Sequence, residues 1–146
     1  MQVVYRTWVK RVYKMLENKQ TKIGIDTSFL IDFLKGNKAA VLLMQKYQNN
    51  VVISNLVIYE FLCGNLSIEQ LKKFYQFISN FWLLDNDVAT CITASSIYKK
   101  CRENGNTIPH QDCMIASNYL AKDISIIITK NKKDFQKIST LKIIDY

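Results

Sequence analysis

Residues 22–37, KIGIDTSFLIDFLKGN, run apolar through Ile23, Gly24 and Ile25, end on Asp26, and then change at once to helical spacing. An ionised carboxylate at the end of a buried strand is costly unless a cation, a basic partner or a helix N-terminus compensates it. Asp26 does not stand alone. Glu60 lies in an apolar helical run six residues after Ser54, and Asp112 follows Pro109 in the first turn of another helical segment. Asn131 and Asp134 follow the strand-like Ile126-Ile127-Ile128. If these runs share one sheet, several elements bring carboxylates to a single edge of it. Like charges gathered in this way raise one another's pKa and persist chiefly where a hard cation neutralises them. Oxygen donors without His or Cys suit Mg2+ or Mn2+, ions that also bridge to phosphate oxygens. A helix dipole would further stabilise Asp112 as an anion.

The elements that must carry these groups are legible from hydrophobic periodicity. Short apolar runs predict strands at 22–26, 51–53, 81–84, 125–129 and 141–144. Helical spacing fills the intervals. It covers 29–34 and 39–47, broken by Gly36 and Asn37, and then a helix capped by Ser54 or Asn55 and ended by Gly64. Further helices run from Ser67 to about 79, from Asp85 or Asp87 to about 102, and from Pro109 to about 122, with the loop ENGN at 103–106. Strands separated by helices predict a parallel sheet with right-handed crossovers. The expected fold class is α/β, a central parallel β-sheet flanked by helices, with its chemistry beyond the carboxyl ends of the strands.

Composition narrows the function classes. The chain has 146 residues, 49% hydrophobic and 22% charged, which suits one globular domain whose core needs neither disulfide nor structural metal. No apolar run reaches membrane-spanning length and no signal-peptide pattern opens the chain. A cytoplasmic protein without a membrane partner is therefore expected. Cys63, Cys91, Cys101 and Cys113 form no Cys-x-x-Cys pair, and His110 is the single histidine, so a zinc site lacks its ligand set. Reduced, mostly buried thiols are expected. The net charge of +8 is concentrated at the start, where Arg6, Lys10, Arg11, Lys14, Lys19 and Lys22 face Glu17 alone. Such a balance favours polyanionic partners.

Four segments, IDTSFLIDFLKGN (25–37), ISNLVIYEFLCGN (53–65), DCMIASNYLAK (112–122) and IIITKNKKDFQKI (126–138), resemble in order and spacing the PIN-domain ribonucleases. The resemblance is strongest to the VapC-like toxins of bacterial and archaeal toxin–antitoxin pairs. It implies a PIN-like three-layer fold over residues 22–146 and places Asp26, Glu60 and Asp112 at three acidic metal-site positions. The fourth, more variable position falls on Asn131 or Asp134, with Asn131 preferred because it follows the strand sooner. Ser28 matches a small polar position that helps to bind metal or water, and Thr129 a hydroxyl at the strand end. The implied activity is endoribonucleolytic hydrolysis of RNA phosphodiester bonds. One or two Mg2+ or Mn2+ ions would polarise the phosphate and activate water for in-line attack. One acid would accept the water proton, and the products would carry 5′-phosphate and 3′-hydroxyl ends. Lys35, Lys130, Lys132 and Lys133 would hold the RNA backbone through salt-sensitive contacts. A homodimer and a cognate VapB-like antitoxin complete the implied partners.

Residues 1–21 fall outside the resemblance and read as a basic amphipathic N-terminal extension with helical spacing. It could pack on the domain or on a second subunit, contact RNA, or be an upstream extension ahead of a start at Met15.

Each acid also has a plainer structural use. Asp26 could be satisfied by backbone N–H groups, Glu60 could be a helix-surface residue, and Asp112 could merely charge a helix N-terminus. Asp134 could form a turn before Phe135. Asp32 is expected to face solvent, Asp85 and Asp87 to cap a helix, and His110 to be inert. Lys99, Lys100 and Arg102 read as a solvated helix end. Among other functions, an RNA-processing nuclease of the same fold would differ only in lacking an antitoxin. A phosphoacceptor receiver domain wants paired acids after its first strand, where Thr27 and Ser28 stand instead. A non-catalytic RNA or protein interaction module has no use for mutually repelling carboxylates.

Overall fold

The computed structural model describes residues 21–146 and the single residue Val9. The helical spacing expected across 1–21, Val9 apart, lies outside the described residues. Strands β1 (Ile23–Ile25), β2 (Val51–Ser54), β3 (Trp82–Leu84), β4 (Ile126–Ile128) and β5 (Lys142–Ile144) form one sheet in the order β3-β2-β1-β4-β5. Every neighbouring pair is parallel. The connections carry helices α1 (Thr27–Leu34), α2 (Lys38–Tyr47), α3 (Asn55–Leu62), α4 (Ile68–Ile78), α5 (Val88–Glu103), α6 (His110–Leu120) and the single turn α7 (Lys132–Phe135). β1 and β2 are buried along their whole length, as strands covered by helices on both faces must be.

The strand order decides where a site can form. From β1 the chain steps outward to β2 and β3, then returns to the opposite side of β1 for β4 and β5. Connections therefore leave the carboxyl ends of β1 and β4 in opposite directions and open a crevice between them.

Local chemistry sets the helix starts. Asp26 Oδ1 accepts from Phe29 N at 3.0 Å at the head of α1. Of the two residues proposed to open α3, Ser54 is the cap, and of the two proposed for α5 it is Asp87. Ser67 and Gln70 satisfy each other's backbone amides at the start of α4. Such caps each contribute about 1 kcal/mol. After α1 the backbone turns through Gly36 at φ 79°, a left-handed conformation natural to glycine. The core is aromatic as well as aliphatic, with Phe29, Phe74, Tyr119 and Phe135 fully buried. Phe61 and Phe74 stack with ring centroids 4.6 Å apart, which ties α3 to α4.

One expectation needs correction. Cys101 and Cys113 are buried, but Cys63 and Cys91 are exposed, because they fall on outward positions of their elements. The single turn α7 has no counterpart among the helices expected from the sequence, because four residues are too few to carry a helical period.

Candidate active site

Asp26 leaves β1 directly into the crevice. It is buried, and it is held from several sides. Thr129 Oγ1, just past the end of β4, donates to its Oδ2 at 2.5 Å. Ser28 Oγ lies 2.8 and 2.9 Å from its two carboxylate oxygens. These bonds favour the ionised form, yet burial outweighs them and raises the pKa above the ordinary carboxylate value, with the charge of Glu60 adding to the rise. The backbone amide of Asp26 donates to Ile128 O at 3.3 Å, so the β1–β4 ladder continues up to the acid itself.

Asp112 stands in the first turn of α6 and is half-buried. Burial and the charges of Asp134, Glu60 and Asp26 together lift its pKa to about 6. Asn131, one of the two fourth-position candidates, touches both the other candidate and Asp112. Its Nδ2 donates to Asp112 Oδ2 at 3.1 Å and to Asp134 Oδ2 at 3.2 Å. Asp134 in turn accepts from Lys137 Nζ at 2.9 Å, and that bond holds its pKa below the usual range. The crevice-side acid is therefore Asp112, while Asp134 already has a cation of its own.

Glu60, near the end of α3, accepts a hydrogen bond from Thr27 Oγ1. Thr27 escaped the sequence reading, although it sits between Asp26 and Ser28. The basic residues are distributed less evenly than expected. Lys130 Nζ pairs with Asp32 at 3.2 Å, and its backbone amide donates to Ser28 Oγ. Lys132 pairs with Asp145 at 3.6 Å, and Lys133 is exposed beside Asp134. Lys35 caps the other end of α1 from Asp26, about 13–14 Å along the helix, so it does not join the cluster. Asp32, expected to face solvent, accepts from both Lys130 and the hydroxyl of Tyr146. Tyr146 also packs edge-on against Phe29, and neither contact has a sequence-local signal. His110 stacks on Tyr98.

Tyr119 is the other residue the sequence did not reveal. It lies seven residues after Asp112, two turns along the same face of α6. Its hydroxyl donates to Ile25 O at 2.6 Å and accepts from Ile25 N at 3.2 Å and Ser54 N at 3.1 Å. Burial raises its pKa well above that of an ordinary phenol, which keeps the proton on the oxygen.

Among the described residues no three His, Cys, Asp or Glu side chains converge closely enough to form a finished metal cage. The acids instead face one another at Coulombic range, all presenting oxygen. That donor set fits a small hard cation such as Mg2+ or Mn2+ and does not fit zinc or copper.

A PIN-domain family model matches residues 23–141. Ribonuclease VapC1 from Methanocaldococcus jannaschii is 31% identical over 139 residues, covering 94% of this chain and 97% of that protein. Its alignment therefore reaches into residues 1–21. Ribonuclease VapC3 from the same organism is 30% identical over 93 residues, 64% of this chain and 93% of that one. In three dimensions, the DNA-bound VapBC structure from Salmonella typhimurium superposes with a TM-score of 0.77 at 23% identity, covering 86% of this chain and 98% of that one. The chain belongs to the PIN-domain family and, within it, to the VapC-like ribonucleases. Divalent-metal dependence is a general property of that family.

Proposed function

We propose that the protein is a metal-dependent endoribonuclease that hydrolyses RNA phosphodiester bonds and serves as the toxin of a toxin–antitoxin pair. The observation that carries this reading is the electrostatic tension at the crevice. Asp26 and Asp112 are pushed up by burial and by neighbouring carboxylates, and a divalent cation relieves that tension. Asp26, Glu60 and Asp112 would hold Mg2+ or Mn2+. When bound, the ion supplies charge neutralisation and Lewis-acid polarisation of the scissile phosphate.

The chain's own residues do the rest. Thr129 and Ser28 fix both oxygens of Asp26, so the carboxylate cannot swing away. Asn131 holds Asp112 by one oxygen and leaves the other available. One of the crevice acids would accept the proton of the attacking water. Lys130, Lys132 and Lys133, which flank Asn131 in the chain, would attract the RNA backbone, while Asn131 is favoured over Asp134 as the fourth site residue because Asp134 is neutralised by Lys137.

A VapB-like antitoxin would cover the crevice. An apolar cavity of about 160 Å3 beside Glu60, lined by Leu56, Tyr59, His110, Met114 and Ile115, supports that reading. VapBC complexes share the fold, and a homodimer is proposed with them. No described helix is long and apolar enough to cross a membrane. The test is cleavage of RNA by metal-stripped protein with Mg2+, Mn2+, Ca2+ or EDTA. Mg2+ and Mn2+ are expected to restore cleavage, with Ca2+ poor because of its longer, looser coordination. Full cleavage in EDTA, after elemental analysis shows no bound metal, would refute the metal mechanism.

A further inference from the structure

We infer that Tyr119 is a positioning residue that sets the spacing of the acidic site, an inference that rests on the ribonuclease reading. Three elements carry the three acids: β1 leads into Asp26, β2 leads through Ser54 into α3 and Glu60, and α6 carries Asp112. One buried hydroxyl touches all three. It is part of α6, it bonds both the N–H and the C=O of Ile25, the residue before Asp26, and it bonds the N–H of Ser54, the cap of α3.

The backbone register shows why such a link is needed. β1 and β2 pair at Ile23 with Val51 and at Gly24 with Val52, and the matched pairs end there. On the other side, β1 and β4 remain paired through Ile25 and Ile128. The Tyr119 hydroxyl occupies the place where the β1–β2 ladder would continue, and it accepts and donates in place of the missing partner. Its ring reaches that place by lying over Gly24. A Cβ on Gly24 would come within 2.6 Å of the ring, so the glycine is the complement that lets the wedge enter. The hydroxyl thus separates β1 from β2 while tying them to α6. Removing it leaves the Ile25 and Ser54 backbone groups to close on each other or to admit water, and either change moves Asp26 relative to Glu60 and Asp112.

The experiment uses the full chain as wild type, Y119F and G24A/Y119L. Y119F keeps the ring and removes the hydroxyl. In the double variant the added methyl refills part of the space the ring vacates. Circular dichroism and melting report the fold, electron paramagnetic resonance titration reports Mn2+ binding, and steady-state cleavage separates kcat from KM. Outer-sphere residues of metal sites typically change affinity by about 10–100-fold. Y119F is expected to fold, to bind Mn2+ about tenfold more weakly or worse, and to lose a similar factor in kcat with KM for RNA nearly unchanged. Restoration of cleavage at raised Mn2+ would agree with this. Folded Y119F with wild-type Mn2+ affinity and kcat would overturn the inference. Should Y119F not fold, the double variant decides in the same way. Failure of both to fold would assign Tyr119 to stability alone and overturn positioning. A wild-type chain that binds no Mn2+ and cuts no RNA would sink the ribonuclease reading and this inference with it. An active wild type matched by Y119F sinks the inference only.

Discussion

The two sides of β1 are built from the same strand and end differently. Toward β4 the ladder runs on to Asp26, and the space beyond it is open and lined by Ser28, Thr129 and the carboxylates. Toward β2 the ladder stops early, and the gap is filled by the Tyr119 hydroxyl, with each backbone group there satisfied. The open side keeps carboxylates buried and near one another, and burial first and their mutual charge second raise the pKa values of Asp26 and Asp112. The filled side has none. The two sides should therefore respond differently: changes on the open side lose function at little cost to folding, whereas changes on the filled side disturb the spacing of the acids and, where they overpack, lower stability as well.

The largest contrast is expected at the acids. Asp26→Asn or Asp112→Asn should lower RNA cleavage by about 10³-fold, within the range for losing a proton-transfer or charge-stabilising group. The metal-free melting temperature should stay level or rise, because a repelled carboxylate is gone. Cleavage assays beside metal-free thermal melts check this. An Asp112→Asn protein that cuts at the wild-type rate would remove Asp112 from the site.

Gly24→Ala probes the filled side. The new Cβ meets the Tyr119 ring at 2.6 Å, and overpacking of this kind costs about 1–3 kcal/mol. Urea unfolding should report that loss. An unaltered midpoint would mean that the ring can retreat and that the wedge is loose.

The open side should also leave a mark on the pH dependence of metal-free stability. The folded chain holds the proton of Asp112 up to about pH 6, whereas the unfolded chain releases it near 3.8. Between these values the folded state binds more protons, so stability falls as pH rises through the interval. The full shift corresponds to about 3 kcal/mol, and partial solvent exposure screens it to about 1–2 kcal/mol. Denaturation of the metal-free protein at pH 4 and pH 7 should show this decline, reduced in Asp112→Asn. Asp26, also raised, contributes in the same direction.

The smallest effect belongs to the rim. The Lys130–Asp32 pair is largely exposed on the lysine side, so Lys130→Ala should shift stability by less than about 0.5 kcal/mol. If Lys130 contacts a phosphate, the salt dependence of RNA binding should flatten by roughly one unit of slope. Binding isotherms at several salt concentrations measure it.

The legible parts of this fold are those whose causes are local. Strands β1 and β4 declare themselves as apolar runs, and Ser54, Ser67 and Asp87 cap helices within three residues of themselves. Asp26, Asp112 and Asn131 were recognisable as candidates because each stands at the edge of a readable element. Asp32 was misread because its partners, Lys130 and Tyr146, lie 98 and 114 positions away. Thr27 was missed because its partner Glu60 is 33 positions distant.

By itself, then, the sequence determined the element order, the helix caps and which acids end up at strand edges, since hydrophobic period and side-chain-to-backbone capping act over a few residues. Only the tertiary structure decided that β4 returns beside β1 and opens the crevice there. It also decided that Asn131 joins Asp112 to Asp134, and that Tyr119 reaches across 94 positions to Ile25 and 65 to Ser54. Those contacts depend on strand pairing and on the space above Gly24, which exist only once the sheet has formed.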